Sequence, residues 1–251
     1  MLDTTELPAA NSVISSQSPV QPYHEWHEKR VTTCIAQLAR HVRASMTCLD
    51  LGHDPPMGSH LQALGLVLTG NIHPAQGRPE VTWRVMPFDF EEDFPIADQS
   101  FDVVTAFEVI EHVVRTPNHL LRQVHRVLKP RGLLYLGTPN VTSWAKIRRA
   151  FAHVHPYDAS AYARDFSARH PMCHVYEYDP WTLKTLVASA GFEIREIKTW
   201  DVYPGDPSGF RDGLLRLLVS GSLAATGHLR DALQLWRLRG HQIGLVAQKP
   251  G

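Results

Sequence analysis

Glu111 and His112 stand side by side just past the apolar run "SFDVVTAFEV". A histidine titrates near neutrality, so His112 can accept a proton from a hydroxyl or an amine as that group attacks. Its other reading is that it orders its own loop through hydrogen bonds. A second candidate is "CLDLGHDPPMGSHLQALG", Cys48 to Gly65. It reads as a strand that runs through Gly52, His53 and Asp54 into a helix, and strand–loop–helix turns of this kind hold nucleotide-like cofactors. A third group is His153, His155, His170, Cys173 and His174. These could supply metal ligands if the intervening loop folds back, but their spacing follows no zinc signature. They are read as lid or substrate contacts, and no metal is assigned.

The elements that must position these groups alternate along the chain. An amphipathic helix is expected from Tyr23 to about Arg43, with Val31, Cys34, Ile35, Leu38 and Val42 on one face. Strands follow at "TCLDLG", "LVLTGNI", "VTWRVMPFD", "SFDVVTAFEV" and "GLLYLGTPN". Helices are expected at "GSHLQALG", ended by Gly65, and at "TPNHLLRQVHRVL". Another is expected at "DPWTLKTLVASAGF", with Asp179 as its N-cap and Gly191 as its stop. "EIREIKTW" and "HQIGLVAQK" are the last strands. Such alternation predicts an α/β domain, a mainly parallel sheet with helices on both faces. Ligands in such sheets bind outside the carboxyl ends of the strands.

Residues 1–22 are rich in Ser, Pro and Ala and read as a flexible tail, leaving 23–251 as the domain. Two helical insertions interrupt the alternation. Residues 141–178 leave from a strand's carboxyl end and read as a lid or substrate wall. Residues 203–240 carry two helical patterns that either complete that wall, extend the core or meet a protein partner. Tyr23, His24, Trp26 and His27 precede the first strand, where an aromatic could close over a ligand or simply pack.

Lys and Arg number 25, and so do Asp and Glu, so no basic excess argues for nucleic acid. No apolar run is long enough for a membrane span, and no signal pattern opens the chain. Cys34, Cys48 and Cys173 lack paired spacing, which fits a reducing cytoplasm.

The block Phe101–Asn140, "FDVVTAFEVIEHVVRTPNHLLRQVHRVLKPRGLLYLGTPN", resembles the central part of class I S-adenosylmethionine-dependent methyltransferases. The shared features are the Phe-Asp-x-Val strand, the Glu-x-x-Glu-His end, the Arg-x-Leu-Lys-Pro turn and the Thr-Pro-Asn terminus. Arg131 stands where the family has a glycine. "HVYEYDPWTLKTLVASAGFEI" resembles the later His-x-x-Glu-Tyr…Ala-Gly-Phe segment of a subgroup found with small-molecule and glycan pathways. The resemblance implies a Rossmann-like, doubly wound seven-stranded sheet whose last strand is antiparallel. It implies S-adenosylmethionine as cofactor, lined by Asp50, Gly52, His53, Asp54, Phe107 and Glu108. The ribose acid of the family falls on Asn71, the adenine acid on Asp89, and Phe90 could pack on the ring. His112 and Glu111 become the catalytic candidates. Asp102 is expected to cap neighbouring backbone, and Thr138, Pro139, Asn140, Tyr176 and Glu177 to border the acceptor.

Three positions depart from the family. Asp54 and Pro56 replace glycines that let backbone approach the cofactor, and Asn71 replaces an acid. Asp54 also suits a helix N-cap, and Pro55 the first helical position, so the loop could keep its shape without a ligand. Two functions follow. One is an enzyme that methylates a small molecule or sugar unit at oxygen. The other is a catalytically inactive methyltransferase-like protein that binds a partner.

Overall fold

The computed structural model describes residues 21–52, 54–74, 80–153, 174–201, 210–230, 233 and 237–251. The proposed tail up to residue 20 lies outside these, as do His53, His155, His170 and Cys173.

The chain begins with helix α1, Gln21–Leu38, which starts inside the stretch read as tail and ends five residues before Arg43. Strand β1 (Thr47–Leu51) leads through Gly52 into α2 (Pro55–Ala63), and β2 (Val67–Ile72) and β3 (Arg84–Pro87) follow. Strand β4 (Phe101–Phe107) runs into a single 3-10 turn, Ile110–His112, and then α3 (Pro117–Val127). Strand β5 (Leu128–Pro139) is followed by α4 (Trp144–Phe151) and α5 (Pro180–Ser189). Strand β6 (Glu193–Trp200), α6 (Phe210–Ala225) and β7 (Gln242–Gln248) complete the described elements.

The seven strands form one sheet in the order β3-β2-β1-β4-β5-β7-β6. Strands β1 to β5 pair in parallel, and β7 inserts antiparallel between β5 and β6. This is the expected doubly wound sheet with its last strand reversed. The chain moves outward from β1 through β2 to β3 and then crosses back to β4. The strand order therefore reverses between β1 and β4, where Asp50 pairs with Thr105 and Leu51 with Ala106. A crevice opens at such a reversal, beyond the carboxyl ends.

Strand alternation divides the core. Leu49, Leu51, Val104, Leu134 and Leu136 face α3 and α5 through Leu121, Val124, Leu183 and Val187. On the other face Cys48, Val103 and Tyr135 pack against Val31, Cys34 and Leu38 of α1 and Met57 and Leu61 of α2. The Tyr135 hydroxyl donates to Gln37 Oε1 at 3.0 Å, and Gln37 donates on to the Gly244 carbonyl at 3.3 Å. A Cβ on Gly244 would collide with both Gln37 Oε1 and the Trp200 ring, so the close approach of these side chains to β7 relies on a glycine there.

The expected caps are present at α5. The Asp179 carboxylate accepts from the amides of Trp181 and Thr182 at 2.8 and 3.0 Å, and Gly191 ends the segment with φ +92°. Helix α2 differs. It starts three residues before the expected Gly58, with Asp54 at the N-cap position, but the Asp54 side chain makes no cap hydrogen bond. Asp102 takes the structural role read for it, accepting from the Thr47 amide and hydroxyl at 2.9 and 2.7 Å and from Lys129 at 2.8 Å. Among the described residues, no helix is long and apolar enough to cross a membrane.

Candidate active site

Two neighbouring groups of polar side chains occupy the crevice. The first surrounds a cavity of about 270 Å3 between the β1–α2 turn, the end of β4 and the overlying α1. Gly52 makes the turn possible: its φ is +66°, and an added Cβ would sit 2.5 Å from Val109 Cγ2. Asp54 projects from the turn, but its carboxylate accepts from His27 Nε2 of α1 at 2.9 Å instead of capping α2. The other imidazole nitrogen of His27 accepts from Arg30 at 2.8 Å, and Arg30 also donates to Glu108 at 2.8 Å. Gln242, at the start of β7, donates to the second Glu108 oxygen at 2.6 Å. Glu108 meets these donors from a left-handed backbone, φ +52°, a conformation that costs a non-glycine residue about 1 kcal/mol or more.

The rim therefore carries the Arg30 guanidinium against the carboxylates of Glu108 and Asp54, with the His27 ring bridging Arg30 and Asp54. A rim of both signs suits a zwitterionic group better than a simple anion. Pro55 and Pro56 fill the first positions of α2, and neither has an N–H to offer an anion. Arg30 of α1 is the charged donor in the lining of this cavity. Arg30 escaped the sequence reading, and His27 was noted there only as part of a segment that could close over a ligand or pack. Their signal was polar side chains three residues apart on a helix that otherwise buries one apolar face.

The remaining cofactor candidates lie at the ends of β1, β2 and β3. Asp50 is buried and accepts from the Thr105 hydroxyl at 2.6 Å. Asn71 is buried too, and its amide nitrogen donates to the carbonyls of Phe88 and Ile72 at 2.8 and 3.2 Å. It thus ties the end of β2 to the segment after β3. Asp89 accepts from the Glu91 amide at 2.9 Å, and His73 Nε2 lies 3.8 Å from its other oxygen. Phe90 packs half-buried against the main core, and Phe107 stacks with Tyr135 at 4.9 Å.

The second group gathers behind Glu108. Glu111 is fully buried and accepts from the Thr138 hydroxyl at 2.9 Å. Burial, and then the negative charge of Glu108, push its pKa well above the ordinary carboxyl range. The imidazoles of His112 and His174 meet edge to face, 5.0 Å apart. His174 Nδ1 contacts Glu177 at 2.8 Å, and Glu177 also takes a short hydrogen bond from Lys146 of α4. Burial, and then His112, hold the His174 pKa down to about 4, while burial lowers Lys146 to about 8. The carbonyl of Glu111 accepts from the Val175 amide at 2.7 Å, which joins the His174 segment to the 3-10 turn. Asn140, expected near the acceptor, is buried and instead bonds the Leu238 and Gly240 carbonyls at 3.2 and 2.7 Å. Cys34 and Cys48 are buried thiols; burial raises both, Cys34 to about 12, so neither supplies a thiolate.

Residues 23–197 match the family model described as a methyltransferase domain. Over 147 residues the chain is 31% identical to the ubiquinone biosynthesis O-methyltransferase of Xanthomonas oryzae pv. oryzae, covering 53% of this chain and 58% of that one. The chain spans between 36% and 58% of the length of the curated relatives it matches first. Its fold is similar to an S-adenosylmethionine-dependent methyltransferase of Archaeoglobus fulgidus, with a TM-score of 0.56 at 16% identity over 90% of this chain and 99% of that one. It is also similar to the 1,6-didemethyltoxoflavin-N1-methyltransferase of Burkholderia thailandensis, solved with S-adenosylhomocysteine, with a TM-score of 0.56 at 14% identity over 89% and 80% of the two chains. The chain belongs to the methyltransferase domain family.

Proposed function

We propose that this protein transfers a methyl group from S-adenosylmethionine to an oxygen of a small molecule or sugar unit. The observation that carries the reading is the pairing of a two-signed cavity with a buried Glu111–His112 turn immediately behind it. The cofactor supplies an electrophilic methyl on a sulfonium. Its methionyl end is a zwitterion, which fits Arg30 on one side and Glu108 and Asp54 on the other. Asp89 and Phe90 would hold the adenine end. Asn71, whose amide nitrogen already serves the backbone, would offer the ribose only its oxygen. The name of the Xanthomonas relative supports oxygen as the acceptor atom.

His112 takes the proton of the attacking hydroxyl. Glu111 and Thr138 hold the turn that carries His112, and the rim excludes water from the methyl's path. Most of the rate then comes from holding acceptor and methyl in line, with proton removal adding roughly a hundredfold or more. Calorimetric titration with S-adenosylmethionine and S-adenosylhomocysteine tests the cofactor half. Micromolar binding is expected, and no heat at millimolar ligand from folded protein would sink it. In an acceptor assay, His112→Ala is expected to lower kcat while leaving S-adenosylhomocysteine affinity in place.

A second reading, binding of a protein partner through residues 203–240, draws on three exposed leucines of α6. Leu214, Leu217 and Leu218 are 46%, 60% and 59% exposed. If they are such a surface, Leu217→Glu with Leu218→Glu abolishes co-sedimentation with the partner and leaves cofactor binding unchanged.

A further inference from the structure

Glu111, His112 and His174 bring a carboxylate oxygen and two imidazole nitrogens within 4.8 Å of one another. The burial of Glu111 is complete, and its two oxygens differ. Oε2 takes the Thr138 hydroxyl, whereas Oε1 is buried with no hydrogen-bond partner among the described residues. A buried carboxyl oxygen left in that state is expensive and calls for a proton or a positive neighbour. The cations near it, Arg30 and Lys146, are paired with Glu108 and Glu177.

The surroundings of His174 point the same way. Its Nδ1 is held by Glu177 at 2.8 Å, which leaves Nε2 as the nitrogen for the cluster. An imidazole fixed by a carboxylate through one nitrogen and offering the other is the arrangement that orients histidine ligands of metals. Lys146 in turn holds Glu177, and the amides of Val175 and Tyr176 bind the Glu111 carbonyl at 2.7 and 3.3 Å. A ligand distant in sequence is thereby fastened to the two adjacent ones.

We infer that Glu111, His112 and His174 form a binding site for a divalent first-row transition metal ion. Two nitrogens and one carboxylate suit zinc, cobalt, manganese or ferrous ions better than calcium or magnesium, which prefer oxygen sets. Three protein ligands leave at least one position open. Metal binding itself needs no assumption about the reaction. The use of the open position rests on the O-methyl transfer reading: there the ion would take an acceptor hydroxyl and acidify it. The O–H bond then breaks with the proton leaving to water. The oxygen's electron pair forms the new C–O bond as the C–S bond breaks. With the ion bound, His112 acts as ligand and no longer as base.

The test is titration of the full chain, freed of metal by chelation, with Co2+ followed by visible absorption and with Zn2+ followed by calorimetry. One ion per chain at micromolar affinity is expected, with cobalt bands of a low-coordinate nitrogen–oxygen site. His174→Ala and Glu111→Gln should each weaken binding at least tenfold, and Glu177→Gln should weaken it less. Should Glu111→Gln fail to fold, His174→Asn carries the same comparison. Absence of binding at millimolar metal overturns the inference. So does micromolar binding that His174→Ala and Glu111→Gln leave unchanged, which would assign the ion to other histidines. S-adenosylhomocysteine titration of the same samples keeps the two readings apart, since its failure removes the cofactor site and not the metal site.

Discussion

Arg30 reaches from α1 to Glu108 at the end of β4, an ion pair 2.8 Å long between residues 78 positions apart, and Glu108 receives it from a left-handed backbone. The pair joins the overlying helix to the strand end from which the Ile110–His112 turn departs. In a half-buried setting with charged partners on both sides, it organises the cavity rim more than it stabilises the fold.

Arg30→Ala should therefore act on cofactor affinity first. We expect the dissociation constant for S-adenosylhomocysteine to rise about tenfold, the scale of one charge-assisted hydrogen bond. Urea midpoints should change little. Unaltered affinity by calorimetry would show that α1 does not contact the ligand.

Gly52→Ala combines two penalties: φ of +66° and a Cβ 2.5 Å from Val109 Cγ2. Together they should cost about 2–4 kcal/mol of stability. Adding Val109→Ala removes the clash and not the strain. The double variant should be less destabilised than the two single effects summed, by about 1 kcal/mol. Additive costs in a denaturation cycle would contradict the contact.

Arg131 occupies φ +64° in the turn before Gly132, a conformation that favours glycine. Arg131→Gly should relieve that strain and raise stability by roughly 0.5–1 kcal/mol, after allowing for the greater freedom of glycine in the unfolded chain. A lower thermal midpoint would refute this.

Glu196 of β6 ties down the end of α1 by accepting from Arg40 and His41 at 2.8 and 2.9 Å. Burial raises its pKa, but hydrogen bonds from Lys198, His41 and Arg40 outweigh it and bring the value down to about 2. The folded pKa lies below the unfolded one, so the stabilisation is present above pH ~4.5 and is lost as pH falls toward 2. Because its cations Arg40 and Lys198 are half exposed and screened by solvent, the network is worth about 1 kcal/mol, well below the full shift. Glu196→Gln should be less stable by that amount at neutral pH and show a shallower loss between pH ~4.5 and 2. Parallel acid-denaturation curves would rule out the linkage.

Local signals in the sequence sufficed for much of the sheet. Strand β6 spans the residues of "EIREIKTW" because β-branched and polar residues alternate there between two turn signals. Asp179 was legible as a cap because its partners are its own next residues. Asp54 was not, since a residue 27 positions earlier, His27, claims its carboxylate. Strand β5 starts at Leu128, four residues before the expected Gly132, because the Lys-Pro-Arg turn stays in the sheet across an irregular register. The Glu111–His112 pair was visible as a motif. Its connection to Lys146 and Glu177 depends on how α4 and the 174–178 segment return to the sheet, which no local pattern encodes.

The two halves of α1 are fastened by forces of different kinds. Around Cys34, Gln37 and Leu38 the helix is sunk into the core and bonded to Tyr135. Around His27 and Arg30 it is held to the cavity rim by the Arg30–Glu108 ion pair and the His27–Asp54 hydrogen bond. Salt screens the second attachment and leaves the first intact. The residence time of the demethylated product should then shorten as ionic strength rises, with no accompanying loss of helix. Stopped-flow release of S-adenosylhomocysteine across a salt series would measure it, and a salt-independent rate would mean that product leaves without loosening α1.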